Sequence, residues 1–60
     1  MKLYELPRGT KFKLVLDGVV GDEVYLLDHI DGMYSLCYNK DEGICHIAAY
    51  APVEKVEDED

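Results

Sequence analysis

The sequence predicts an all-β domain of short antiparallel strands, on three observations. No segment of ten residues carries an apolar pattern of helical period. Two stretches, Lys11–Leu16 and Glu23–Ile30, are rich in β-branched, aromatic and alternating apolar residues. Glycine-bearing turn sequences, Asp31-Gly32 and Asn39–Gly43, separate the apolar runs at hairpin spacing. Sixty residues make a single domain whose core is marginal unless something supplements it.

Along the chain, "LPRGTKF" (Leu6–Phe12) places Pro7 and Gly9 two residues apart, which marks a turn ahead of a strand. Phe12, Leu14 and Leu16 then alternate with Lys11, Lys13 and Val15, the period of a half-buried strand. "DGVVGDE" (Asp17–Glu23) carries two glycines and reads as a loop, or a loop with an edge segment. Glu23–Ile30 is the next strand, and Asp31-Gly32 follows it as a two-residue turn, both positions favouring φ > 0. That turn sets Glu23 opposite Lys40, Tyr25 opposite Tyr38, Leu27 opposite Leu36 and His29 opposite Tyr34. An ion pair, an aromatic pair and an aliphatic pair in one register are each favourable across strands.

At Asn39–Gly43, Gly43 is placed to adopt a left-handed conformation. A four-residue loop, Lys40–Gly43, sets Tyr38 against Cys45, Leu36 against Ile47 and Cys37 against His46. A loop of odd length sets Cys37 against Cys45 instead, and the first register keeps the apolar face more uniform. Pro52 interrupts the strand after Tyr50, and Val53–Val56 is a short last strand. Four to five short antiparallel strands with a turn-led start and a short closing strand suggest a small SH3-like barrel, whose closure removes exposed edges. Residues 1–56 form this domain, and the acidic 57–60 ("EDED") is expected to be a disordered tail.

These registers divide the side chains into two sets. Phe12, Leu14, Leu16, Tyr25, Leu27, Tyr34, Leu36, Tyr38, Cys45, Ile47, Ala49 and Ala51 form the expected core. Val24, Leu26, Asp28, Ile30, Met33, Ser35, Cys37, Ile44, His46, Ala48 and Tyr50 form the opposite face, too apolar for water alone. Leu26, Ile30, Met33, Ile44, His46 and Tyr50 are therefore the candidate interface, for a partner protein or a second copy of the chain. A misplaced bulge, returning some of them to the core, is the alternative.

The net charge is −7, divided unevenly. Residues 1–13 hold four bases and one acid, and residues 14–60 hold two bases and twelve acids. Phosphate-backbone binding needs the opposite sign, so general nucleic-acid binding is not expected. Arg8, Lys11 and Lys13 are the local exception, a candidate site for a small anion or nucleotide phosphate. No apolar run suits a signal peptide or a membrane span, so a complete, cytoplasmic chain is expected. Cys37 and Cys45 are expected as free thiols; with His29 and His46 they match no zinc spacing, and neither metal nor cofactor is expected. Asp28, Ser35 and His46 fall on one face but lack a nucleophile elbow and oxyanion donors, so no catalytic residue is assigned.

The stretches "MKLYELPRGTKFKL", "HIDGMYSLC" and "HIAAYAPVEKV" resemble small uncharacterised proteins of bacteriophages and prophages. Those open with a Leu-Pro-x-Gly-Thr-x-Phe turn and close with a Pro-Val-Glu strand. The resemblance implies a context of binding rather than catalysis. The expected function is a non-enzymatic binding protein that inhibits or modulates a host protein, host-defence proteins included, acting as a homo-oligomer. The alternatives are an oligomeric sponge for a nucleotide signal and, less favoured, an acidic mimic of nucleic acid.

Overall fold

A computed structural model describes residues 1–56; the expected acidic tail, 57–60, lies outside the described residues. The described residues are nearly all antiparallel β, with strands β1 (Lys11–Leu16), β2 (Val19–Val20), β3 (Tyr25–Asp31), β4 (Tyr34–Asn39), β5 (Gly43–Ala48) and β6 (Val53–Lys55). Sheet order is β2-β1-β3-β4-β5, with β6 added beside β1. The expected barrel closure does not occur: among the described residues β5 pairs with β4 alone, and the sheet stays open. Among the described residues, no helix is long and apolar enough to cross a membrane.

A 3-10 turn at Leu3–Glu5 precedes the sheet, and the Glu5 carboxylate accepts the Lys2 backbone N–H at 2.8 Å. Leu3 and Leu6 are three residues apart, the spacing that aligns side chains on a 3-10 turn, and both are buried. The backbone N–H groups of Leu3 and Tyr4 donate to the carbonyls of Ala51 and Ala49, tying this turn to the segment between β5 and β6. The core comprises Leu3, Leu6, Phe12, Leu27, Cys37 and Val53, with Leu14, Tyr25, Ile30 and Ile47 packed against it. Phe12 and Tyr25 stack with ring centroids 5.6 Å apart. Leu3 and Leu6 were absent from the sequence-derived core; their three-residue spacing just ahead of Pro7 was the available signal.

The β3–β4 register differs from expectation. Asp31 is the last residue of its strand, opposite Tyr34, and the two-residue turn is Gly32-Met33. Only the glycine there has positive φ (66°), the pattern of a type II′ turn. Tyr38 consequently lies opposite Leu26 rather than Tyr25, Leu36 opposite His29, and Cys37 opposite Leu27. Asp28 is an extra residue on β3, where the register shifts between Leu27 and His29. The "LPRGT" turn holds this bulge: Gly9 (φ 83°) donates its N–H to the Leu27 carbonyl, and Arg8 Nε donates to the Asp28 carbonyl at 2.9 Å.

A slip of one residue turns a strand over, and β4 shows it. Ser35, Cys37 and Asn39 point inward and are buried, whereas Tyr34 and Tyr38 are exposed and Leu36 is half-buried. The core places of Tyr34, Leu36 and Tyr38 are thus corrected, as is that of Leu16, which is 69% exposed. Small side chains fit beside Leu27 and Phe12, and the hydroxyls of Tyr34 and Tyr38 keep their water on the outside. The inward polar atoms are satisfied. Ser35 Oγ donates to the Ile47 carbonyl at 2.8 Å and lies 3.1 Å from Cys37 Sγ. Asn39 Oδ1 accepts the N–H groups of Asp41 and Glu42, and its Nδ2 donates to the Val24 carbonyl.

The β4–β5 loop has the odd length, Lys40–Glu42, so Cys37 faces Cys45 and Tyr38 faces Ile44. Gly43 adopts φ 81°, as its place in the turn required. The more uniform apolar register, with Tyr38 against Cys45, is therefore not adopted. The Asp17–Glu23 loop contains a hairpin whose turn is Asp17-Gly18, both with positive φ (52° and 77°).

Candidate functional site

Three parallel rows of side chains cross the outer face of β3, β4 and β5. Leu26, Tyr38 and Ile44 form the first, His29, Leu36 and His46 the second, and Asp31, Tyr34 and Ala48 the third. Lys11 on β1 lies opposite Leu26 and extends the first row. Tyr38 is 54% exposed and Ile44 64%. Leu26, Asp28, Leu36, Cys37, Tyr38 and Ile44 line a shallow depression of about 260 Å3 on this face. The pattern follows from the bulge and the odd loop together: every second residue of β4 and β5 faces this side, joined on β3 by Leu26, His29 and Asp31 across the bulge.

Of the candidate interface residues, Leu26, Ile44 and His46 lie on this face and are exposed. Met33 occupies the turn beyond the third row, and its carbonyl accepts the N–H of Ala49, the neighbour of exposed Tyr50. Ile30 is corrected: the bulge returns it to the inner side, packed against the core. The missed members are Tyr34, Leu36 and Tyr38, placed in the core by the wrong phase of β4. Two tyrosines four residues apart on one strand, each with a hydroxyl that prefers water, were the signal for the other phase.

The basic candidates do not form one cluster. Arg8 is exposed and engaged with the Asp28 carbonyl. Lys13 is half-buried opposite Glu54 on β6. Lys11 and Lys40, with Val24, Tyr25, Leu26 and Tyr38, line a depression of about 210 Å3. Lys40 also lines a second depression, with Asp22, Glu23 and Asp41. Glu23 accepts the hydroxyl of inward-packed Tyr25 at 3.1 Å, and Glu42 accepts the Cys45 thiol.

Asp28, Ser35 and His46 do not come together. Ser35 is inside, and Asp28 Oδ2 accepts the Nδ1 proton of its neighbour His29 at 2.6 Å. Among the described residues, no group of three or more His, Cys, Asp or Glu side chains could hold a metal ion. Burial pushes the Cys37 thiol above its ordinary pKa, opposed in part by the Ser35 hydroxyl. The Cys45 thiol is also raised, by desolvation and then by the Glu42 carboxylate. Both shifts disfavour the thiolate, the form that attacks or binds metal. Comparison of the chain with protein-family models, curated proteins and solved structures finds no match.

Proposed function

We propose that the chain is a non-enzymatic binding module of bacteriophage type that inhibits or modulates a host protein in the host cytoplasm, without a cofactor. The observation that carries this reading is the outer face of β3–β4–β5, where Leu26, Leu36, Tyr38 and Ile44 form a continuous apolar surface. Contiguous apolar surface on a small domain supports an interaction role, and exposed tyrosines are the side chains that anchor such contacts. The same surface supports homo-oligomers, in which a patch meets its own copy.

A second reading, the nucleotide sponge, is supported by the pairing of Lys11 and Lys40 beside Leu26 and Tyr38. Two cations beside an exposed aromatic ring suit an anionic ligand with a planar base. Native mass spectrometry of protein purified from host cells separates the readings, since it reads protein partners, copy number and retained small molecules together. A protein partner bound to wild type and lost on Tyr38→Glu supports the docking module. A retained ligand of nucleotide mass, lost on Lys11→Glu with Lys40→Glu, supports the sponge. Wild-type protein that returns with neither sinks both.

A further inference from the structure

Cys37 and Cys45 stand directly opposite each other on β4 and β5. The phase of the ladder defines the kind of pair they form. The Ala49 N–H donates to the Met33 carbonyl, and the register runs without a shift from Tyr34 opposite Ala48 to Asn39 opposite Gly43. Hydrogen-bonded pairs alternate along an antiparallel ladder, so Ser35–Ile47, Cys37–Cys45 and Asn39–Gly43 are the bonded ones. Ser35 Oγ agrees with this phase, because the Ile47 carbonyl it reaches points at β4. A bonded pair holds its Cα atoms about 5.5 Å apart, inside the range of about 4.4–6.8 Å that a disulfide spans. The backbone already stands at disulfide spacing.

Both thiols are free, and each sulfur leans toward the start of its own strand. Cys37 Sγ lies 3.1 Å from Ser35 Oγ, and Cys45 Sγ turns to the Gly43 carbonyl and the Glu42 carboxylate. The strands run antiparallel, so the two sulfurs point apart, and rotation of each side chain to another staggered position brings them together. We propose that Cys37 and Cys45 form a cross-strand dithiol site that a low-molecular-weight disulfide, of the glutathione disulfide class, oxidises in place to a reversible disulfide joining β5 to β4. The inference does not depend on what the outer face binds.

Burial sets the order of the steps, since Cys45 is half-buried and Cys37 is 1% exposed. The Cys45 thiol gives up its proton and attacks the small disulfide, which forms a mixed disulfide and expels one small thiolate. The Cys37 thiol then gives up its proton and attacks Cys45 Sγ, which forms the protein disulfide and expels the second small thiolate. Each expelled thiolate takes up a proton. Two protein thiols are thereby oxidised, and one small disulfide is reduced to two thiols. Among the described residues β5 pairs with β4 alone, so the new bond clamps the strand that carries Ile44 and His46.

The test is equilibration of the reduced full chain with glutathione and glutathione disulfide, an acid quench, and intact mass with thiol alkylation. Wild type is expected to lose the mass of two hydrogens as a single chain, to lose both alkylatable thiols, and to regain them with dithiothreitol. Cys37→Ser keeps a small polar group beside Ser35 but lacks the second thiol, so it is expected to stop at one glutathionyl group on Cys45. Two cysteines this near in sequence also close in an unfolded chain, and concentrated urea measures that background. The closure equilibrium constant is expected to be about tenfold greater in the folded wild type than in urea. By linkage, the oxidised chain then unfolds at a higher urea concentration than the reduced one. A wild type that stops at the Cys45 mixed disulfide, or that joins two chains through Cys45, overturns the inference. So does a closure constant no greater folded than in urea, a reading that wild type supplies whether or not Cys37→Ser folds.

Discussion

The dipeptide Asp-Gly occurs twice, and the two hairpins that contain it treat it differently. Between β1 and β2, Asp17 and Gly18 occupy the turn themselves, both at positive φ. Between β3 and β4, Asp31 stays in the strand and the turn moves on to Gly32-Met33. The flanking residues explain the divergence. Leu16 and Val19 beside the first turn are 69% and 66% exposed, so nothing outside the hairpin opposes the local preference. On the second hairpin, Leu27, Ser35 and Cys37 are each 1% exposed, and filling that space selects the register. Turn preference amounts to a kcal/mol or so, whereas several buried side chains contribute about 1.5–3 kcal/mol each. Where the two compete, packing wins.

The largest expected contrast is between leucines of the two hairpins. Leu27→Ala removes a fully buried side chain at a cost of about 2–5 kcal/mol, the scale of the whole stability of a domain this size. Leu16→Ala is expected to change stability by no more than about 0.5 kcal/mol. Urea denaturation of both variants checks the pair, and equal losses would refute the assignment of faces.

Next in size is the aspartate of each turn. Asp17→Val forces a β-branched residue into the left-handed region, at about 1–2 kcal/mol. Asp31→Val places it in an exposed strand position, where the change is near zero or slightly stabilising. Were Asp31-Gly32 the turn after all, the two variants would melt alike.

Ser35→Ala comes third, at about 1 kcal/mol, because it removes the hydroxyl that donates to the Ile47 carbonyl inside β4–β5. An outward Ser35 would leave the melting temperature unchanged.

The smallest effect is a pH dependence of the second hairpin. Burial raises the Cys37 thiol in the folded state, so the neutral thiol favours folding fully below the unfolded pKa of about 8.5. That contribution fades as pH rises through the folded value. The urea midpoint of wild type should therefore fall toward that of Cys37→Ala as pH rises past about 8.5. A gap that widens instead places Cys37 outside the core.

The outer face was half legible. Leu26, Ile44 and His46 were identified because they alternate with residues that pack, whichever loop length joins their strands. Tyr34, Leu36 and Tyr38 were missed because β4 alternates two residue sets that could each face inward, Tyr-Leu-Tyr or Ser-Cys-Asn. The larger set has more surface to bury, but the adopted phase packs Cys37 with Leu27 and Phe12 and gives the Ser35 and Asn39 side chains partners inside. Ile30 was displaced by the Asp28 bulge, which depends on hydrogen bonds from Arg8 and Gly9, some twenty residues away.

What the residues determined by themselves is the all-β class and the order and rough extent of the main strands. Period-two alternation, β-branched content and glycines at positive φ act over a few neighbouring residues, and packing moved the second turn by one residue without removing it. What only the tertiary structure decided is phase: which side of β4 is inside, which loop length joins β4 to β5, and that the sheet stays open with the Leu3–Leu6 turn tied to the β5–β6 segment. Alternation reveals that two faces exist but is symmetric between them. The symmetry is broken by contacts from outside the strand: Cys37 packs with Phe12 and Leu27, Ser35 and Asn39 find hydrogen-bond partners inside, and Tyr34 and Tyr38 face outward with their hydroxyls in water.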